Sequence, residues 1–172
     1  MADIGYKKLK NDLIATLHIV GKTNQDRKVV DRLHAKYRTD RVRVISIKHA
    51  FTGEQFSQGV SIHDKSFIYQ VDKEVAVDCT LDSTMCAAGI HYFLTEEAAW
   101  SWQISLPSNY SGTCKAWYPN GQLWTERVYH QGELEGSCKT WYPGGQLWTE
   151  CVYHQGQRDG PRKTWDQNGF EM

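Results

Sequence analysis

Three tryptophans, Trp117, Trp141 and Trp165, stand 24 residues apart, and the words around them repeat almost unchanged. "AWYPNGQLWTERVYHQGELEG" (116–136) returns as "TWYPGGQLWTECVYHQGQRDG" (140–160), and "PRKTWDQNG" opens a third copy. The same shift carries Gly112 onto Gly136 and Gly160, Leu123 onto Leu147, Trp124 onto Trp148, and Tyr129 onto Tyr153. A short fixed period means one supersecondary unit laid against copies of itself.

The unit is a β-hairpin. "CKTWY" and "QLWTECVYH" are rich in aromatic and β-favouring residues, and "PNG" or "PGG" between them supplies turn chemistry. "QGELEG" and "QGQRDG" follow as linkers that return the chain to the next hairpin. The expected fold class is mainly β: an α+β N-terminal domain, then an array of antiparallel β-hairpins in one twisted sheet. Period-two alternation puts Trp117, Leu123 and Tyr129 on one face, and Cys114, Tyr118, Trp124 and Val128 on the other. Both faces are then partly apolar, so either a second body covers one of them or the aromatics pack within the twisted sheet. Cys114 and Cys138 sit two strand spacings apart, about 9.5 Å, too far for a disulfide.

"G-x-C-K-x-W-Y-P-x-G-Q-L-W-T-E-x-V-Y-H-Q-G" (112–132) resembles a MORN repeat, of the variant with a W-Y-x-N-G core found in bacterial and viral proteins. The resemblance covers residues 112–172, as copies at 112–135 and 136–159 and a partial one at 160–172. It implies a rod-like sheet used for protein contacts, dimerisation or lipid binding, although the Y-x-G-x-W opening of animal MORN proteins is absent. The residues implied for interaction are Trp117, Tyr118, Trp124, Tyr129, Trp141, Tyr142, Trp148, Tyr153 and Trp165. A short array has little area of its own, so a homodimer through the C-terminal edge is expected, or support from the N-terminal domain.

Residues 1–106 form the expected N-terminal domain, with 107–111 as linker. Strands are expected at Leu13–Val20, Arg41–His49, Ser66–Val71 and Gly89–Thr95. "DRKVVDRLHAKY" spaces Val29, Val30 and Leu33 as a helix would. Thr95, followed by Glu96 and Glu97, reads as the N-cap of a second short helix. "YKK" at Tyr6, "SIHDKSFIYQV" (61–71) and "CAAGIHYFLTEEA" (86–98) resemble an uncharacterised domain of phages, bacteria and large nucleocytoplasmic DNA viruses, with C-x-x-G-I-H-[FY]-F as its most specific part. That resemblance brings no activity; it implies a viral accessory protein.

Chemistry, if present, centres on Cys86 and His91, a thiol and an imidazole that suit a nucleophile and its base. His63 and Asp64 stand beside them in that alternative, an enzyme or toxin-like domain. With Cys79 they offer zinc ligands, but a seven-residue gap between Cys79 and Cys86 is not zinc spacing. The competing reading is packing, with Cys86 as a small apolar group, His91 bonded to a carbonyl, and Asp64 capping a turn or fixing the His63 tautomer. No cofactor and no metal is expected.

A basic stretch holds Lys22, Arg27, Lys28, Arg32, Lys36, Arg38, Arg41, Arg43 and Lys48 against three aspartates. It is the candidate for phosphate contact, to nucleic acid or anionic lipid; a solvated charged face is the alternative. The whole chain has zero formal net charge, which argues for neither ligand. The apolar run Leu13–Val20 is broken by Thr16 and His18, so no signal peptide or membrane span is expected. Five cysteines in no dense framework fit reduced thiols and an intracellular setting.

Overall fold

The computed structural model describes residues 3–81, 88–103 and 105–172. It is built almost entirely from antiparallel strands, in two main sheets. The first contains β1 (Ile4–Lys8), β2 (Leu13–Ile19), β3 (Lys36–Thr39), β4 (Arg41–His49), β5 (Gln55–Phe56), β8 (Glu74–Ala76) and β9 (Ile90–Phe93). Its order is β3-β9-β1-β2-β4-β5, with β8 also on β4. β6 (Gln58–Val60) and β7 (Ile68–Gln70) form a separate two-stranded ribbon.

The expected strands at Leu13, Arg41, Ser66 and Gly89 are all present: Arg41–His49 matches at both ends, the first and last are trimmed by one to three residues, and Ser66–Val71 shrinks to the three residues of β7. β2 shows why this sheet is stable. Leu13, Ala15, Leu17 and Ile19 point to one core with Tyr37, Val42, Val44 and Tyr92, while Ile14 points to a second with Phe93. That second core is roofed by α1 (Glu96–Ser101), through Ala98 and Ala99. Thr95 caps this helix as expected, its hydroxyl accepting from the Ala98 N–H at 3.2 Å.

β4 is no edge strand: β2 lies on one side and β5 and β8 on the other. Its Arg41 and Arg43 are nevertheless exposed and share a face opposite Val42 and Val44.

The helix expected at residues 26–37 does not form. Those residues make turns and then enter β3. Of the would-be apolar stripe Val29 packs against the core, but Val30 and Leu33 are exposed. The backbone N–H groups of Val30 and Lys36 instead donate to Asn120 O (2.8 Å) and Pro119 O (3.1 Å). A distant turn outcompetes the local helix for these donors.

The second sheet runs β10 (Gly112–Trp117), β11 (Leu123–His130), β12 (Glu133–Trp141), β13 (Leu147–His154) and β14 (Gln157–Thr164) in sequence order. This is the expected array of hairpins. The "PNG" and "PGG" turns close alike, Gly121 N–H to Tyr118 O and Gly145 N–H to Tyr142 O, both 2.9 Å. The expected linkers are hairpins too. Gln131–Gly132 and Gln155–Gly156 all have positive φ, the signature of a tight two-residue turn, so Glu133–Gly136 already belong to β12. The third hairpin stops after its turn, with Trp165 bridged to Glu171.

The face assignment needs correction. Cys114 pairs with Arg127, Arg127 with Cys138, and Cys138 with Cys151, so these four form one row across the sheet. The adjoining row, on the opposite face, is Lys115, Glu126, Lys139, Glu150 and Lys163. Alternation along β11 and β13 puts Trp124 and Val128, and Trp148 and Val152, on the Lys/Glu face. Cys114 therefore lies on the other face from Trp124 and Val128. The turns fix the register so that an even-numbered residue of β10 opposes an odd-numbered one of β11, which number parity along a single strand does not reveal.

Candidate functional site

Two places collect the residues singled out above. The first is the aromatic surface of the hairpin sheet. Its Lys/Glu face carries ion pairs Lys115–Glu126 (3.4 Å) and Lys139–Glu150 (3.0 Å). Trp124, Trp148 and Val152 stand exposed on it at 45%, 38% and 46%. Each exposed tryptophan leans on the tyrosine of its own turn: Tyr118–Trp124 at 5.9 Å and Tyr142–Trp148 at 5.5 Å between centroids. The tyrosines also tie the repeats together. Tyr118 Oη donates to Trp141 O at 2.9 Å and Tyr142 Oη to Trp165 O at 3.0 Å.

The remaining rings have other surroundings. Trp117 packs toward the N-terminal core and stacks on His34. Tyr129 meets Tyr110 edge-on, at 6.1 Å. Trp141, Tyr153 and Trp165 are half-buried. Of the nine aromatics read from the repeat, Trp124 and Trp148 are thus the exposed pair. A groove of about 330 Å³ continues from Trp124 past Tyr118 and Pro119 to Trp102.

The second place is a cavity of about 440 Å³ in the N-terminal sheet. β1 pairs with β9 only at Tyr6 and Phe93. Lys7 from β1, His91 from β9, and His63, Phe67 and Tyr69 around the β6–β7 ribbon line the space. The structure places His63, Asp64 and His91 around one cavity. Cys86 lies outside the described residues. Cys79 does not line the cavity but sits behind Gly89, which does: a Cβ placed on Gly89 would meet its Sγ at 2.6 Å. Asp64 caps the following turn, its Oδ1 accepting from the Ser66 N–H (2.9 Å) and hydroxyl (2.6 Å).

Lys7 is the residue that sequence reading missed. Its side chain is buried, and its ammonium donates to His91 O at 3.0 Å and lies 5.5 Å from the Tyr69 ring centroid. Burial, and then the Lys36 ammonium, lower its pKa to about 8. His91 is pushed down to about 3, first by burial and then by Lys36, Lys7, Arg38 and His63. His63 is lowered by burial and then by Lys36 and Lys7. The Nε2 of His91 is shielded from solvent and has no hydrogen-bond partner among the described residues. At neutral pH the cavity therefore holds a charged lysine, a neutral imidazole and an aromatic wall.

The basic stretch does not converge on one surface. Arg27 donates to Lys36 O and Pro119 O, both at 2.7 Å, which holds the first turn of the array. Lys36 is buried over the Trp102 ring at 4.1 Å, and Arg38 is buried in β3. Lys48 pairs with Glu96 at 3.0 Å. Lys22, Lys28, Arg32, Arg41 and Arg43 remain exposed.

Among the described residues, no cluster of His, Cys, Asp and Glu is arranged to hold a metal, and no helix is long and apolar enough to cross a membrane. A family model described as a family of unknown function (DUF5758) matches residues 2–99. A second, described as a MORN repeat variant, matches residues 110–131 and 134–155. Among curated proteins and solved structures, none matches the chain.

Proposed function

The chain belongs to that family of unknown function, and since its description names no activity, we propose from the geometry that the protein is a non-enzymatic interaction module. Its docking surface is the Lys/Glu face of the MORN-variant sheet. The observation that carries this reading is the exposed pair Trp124 and Trp148, one repeat apart and each braced by a tyrosine. Braced aromatics lose little side-chain entropy on binding and supply large contact area, which is why Trp and Tyr dominate interface energetics.

The partner proposed is a second copy of the chain. The free edge is poorly suited to the contact. β14 presents Arg158, Pro161, Arg162 and Lys163, charges and a missing N–H of the kind that keep edge strands from pairing. The face suits it better: its row of alternating Lys and Glu becomes complementary to a second copy offset by one strand. The setting that goes with this reading is an accessory protein of a large DNA virus, acting inside the host cell. It rests on the sequence resemblance and on the free thiols of Cys79, Cys114, Cys138 and Cys151.

Sedimentation velocity up to high micromolar concentration tests the dimer. A dimer is expected for the full chain, and a folded monomer for the Trp124→Lys, Trp148→Lys double variant. A full chain that stays monomeric throughout, or a double variant that still dimerises, would sink the proposal.

A further inference from the structure

The cavity beside β1 and β9 holds an arrangement that the interaction reading does not use. Lys7 is a buried ammonium, and among the described residues no carboxylate forms an ion pair with it. A buried charge without a counter-ion is costly to keep. His91 lines the same cavity, although its Nε2 is turned away from the open space, shielded from water and without a hydrogen-bond partner among the described residues. Phe67 and Tyr69 form a tilted aromatic pair in its wall, 5.6 Å between centroids. An apolar lining with a few convergent polar groups is the usual make-up of a small-molecule site, and the volume, about 440 Å³, falls in the range such sites have.

We propose that this cavity binds a small organic anion. Its carboxylate or phosphate is held by the Lys7 ammonium, and its apolar body lies against Phe67 and Tyr69. An oxyanion supplies what the lysine lacks, a counter-charge. A bare inorganic ion satisfies the lysine but leaves the aromatic wall uncovered, which is why the ligand is assigned a body. Two carboxylates share the lining and neither competes for Lys7. Asp64 is engaged by Ser66, and Asp78 is exposed.

The site predicts proton uptake as well as binding. The charged group acting on Lys7 is Lys36, and those acting on His91 are Lys36, Lys7, Arg38 and His63, all basic; Asp64 and Asp78 are the acids of the lining. An incoming anion opposes the basic field and raises the lysine pKa from about 8. Binding at pH 8 then takes up as much as about half a proton, whereas a surface lysine, already fully protonated there, takes up none.

Isothermal titration of the full chain at pH 8, in two buffers of different ionisation enthalpy, tests this with phenyl phosphate, benzoate, inorganic phosphate and benzyl alcohol as probes. Saturable binding of phenyl phosphate or benzoate is expected in about the millimolar range or tighter, with proton uptake and a shift of the His91 ring resonances. The stronger of the two identifies phosphate or carboxylate as the preferred group. Lys7→Met should weaken binding by about 30-fold or more. The site is overturned if neither organic anion saturates, if benzyl alcohol binds equally well, or if Lys7→Met binds unchanged. Inorganic phosphate binding as tightly as phenyl phosphate would overturn the aromatic part of the assignment. Should Lys7→Met fail to fold, proton uptake in the unaltered chain decides, and its absence refutes the site.

Discussion

The imidazole of His34 lies flat on the indole of Trp117, with ring centroids 4.3 Å apart and planes 12° from parallel. Asp31 fixes the imidazole at its edge, Oδ2 to Nδ1 at 2.6 Å. Among the described residues, the repeat equivalents Trp141 and Trp165 have no such stack. Of the three, Trp117 therefore serves as the array's anchor to the N-terminal sheet. Trp117→Ala should cost about 2–3 kcal/mol. Trp141→Ala should cost about 1 kcal/mol less, the contribution of a stacked pair beyond its buried area. Urea unfolding of the two variants measures the difference.

A glycine comparison isolates the docking from the turn. Gly121 and Gly145 occupy equivalent turn positions with φ of 85° and 95°, so alanine carries the same left-handed strain at both, about 1–2 kcal/mol. Their surroundings differ. A Cβ on Gly121 would sit 2.0 Å from the backbone oxygen of Asp31, whereas on Gly145 it would meet only the end of the Gln122 side chain, at 3.1 Å. Gly121→Ala should expose the Val30 and Lys36 amides to faster hydrogen exchange, and Gly145→Ala should leave them protected.

The buried imidazole makes stability depend on pH. His91 has a folded pKa of about 3, below the 6.5 of an unfolded histidine, so from 6.5 downward the unfolded chain binds a proton that the folded chain refuses. Stability is fully present above about pH 6.5 and falls as pH drops toward 3. Lys7 acts in a higher window. Between about 8 and 10.5 the unfolded chain again holds the extra proton, so stability rises with pH there. Melting temperature followed from pH 4 to 10 should show both slopes. His91→Gln should flatten the lower one, and Lys7→Met the upper.

Cys138 and Cys151 are direct cross-strand partners, with Cys151 Sγ 3.7 Å from Cys138 O. Opposed residues in antiparallel strands have Cα atoms about 4.5–5.5 Å apart, inside the disulfide range. Cys114 is separated from both by the strand carrying Arg127. Treatment with diamide should therefore yield a Cys138–Cys151 bridge by peptide mapping, and no bridge from Cys114 to either. Burial slows the reaction, since it raises the Cys138 thiol pKa.

Much of the fold was legible because its signals are local. The turn residues of "YPNGQ" and "YPGGQ", the β-favouring runs beside them and the Thr95 cap each act within a few positions of chain. The helix expected over Val29, Val30 and Leu33 shows the limit. Its spacing is helical, but its amides are taken by Pro119 and Asn120, 83–90 residues away. The candidate site was half legible. His63 and His91 stood out by residue type, whereas Lys7, in "YKK", looks like any solvent-facing lysine.

By itself, then, the sequence determined a hairpin array of period 24 after a mostly β domain, since turn chemistry and strand alternation are written in neighbouring residues. Tertiary structure alone decided which tryptophan anchors the array, which faces the outside, and which lysine is shut in with two histidines. The physical reason is that burial is a property of the contacts around a residue. Lys7 owes its environment to His91, 84 positions along the chain, and no pattern in the residues beside it encodes that meeting.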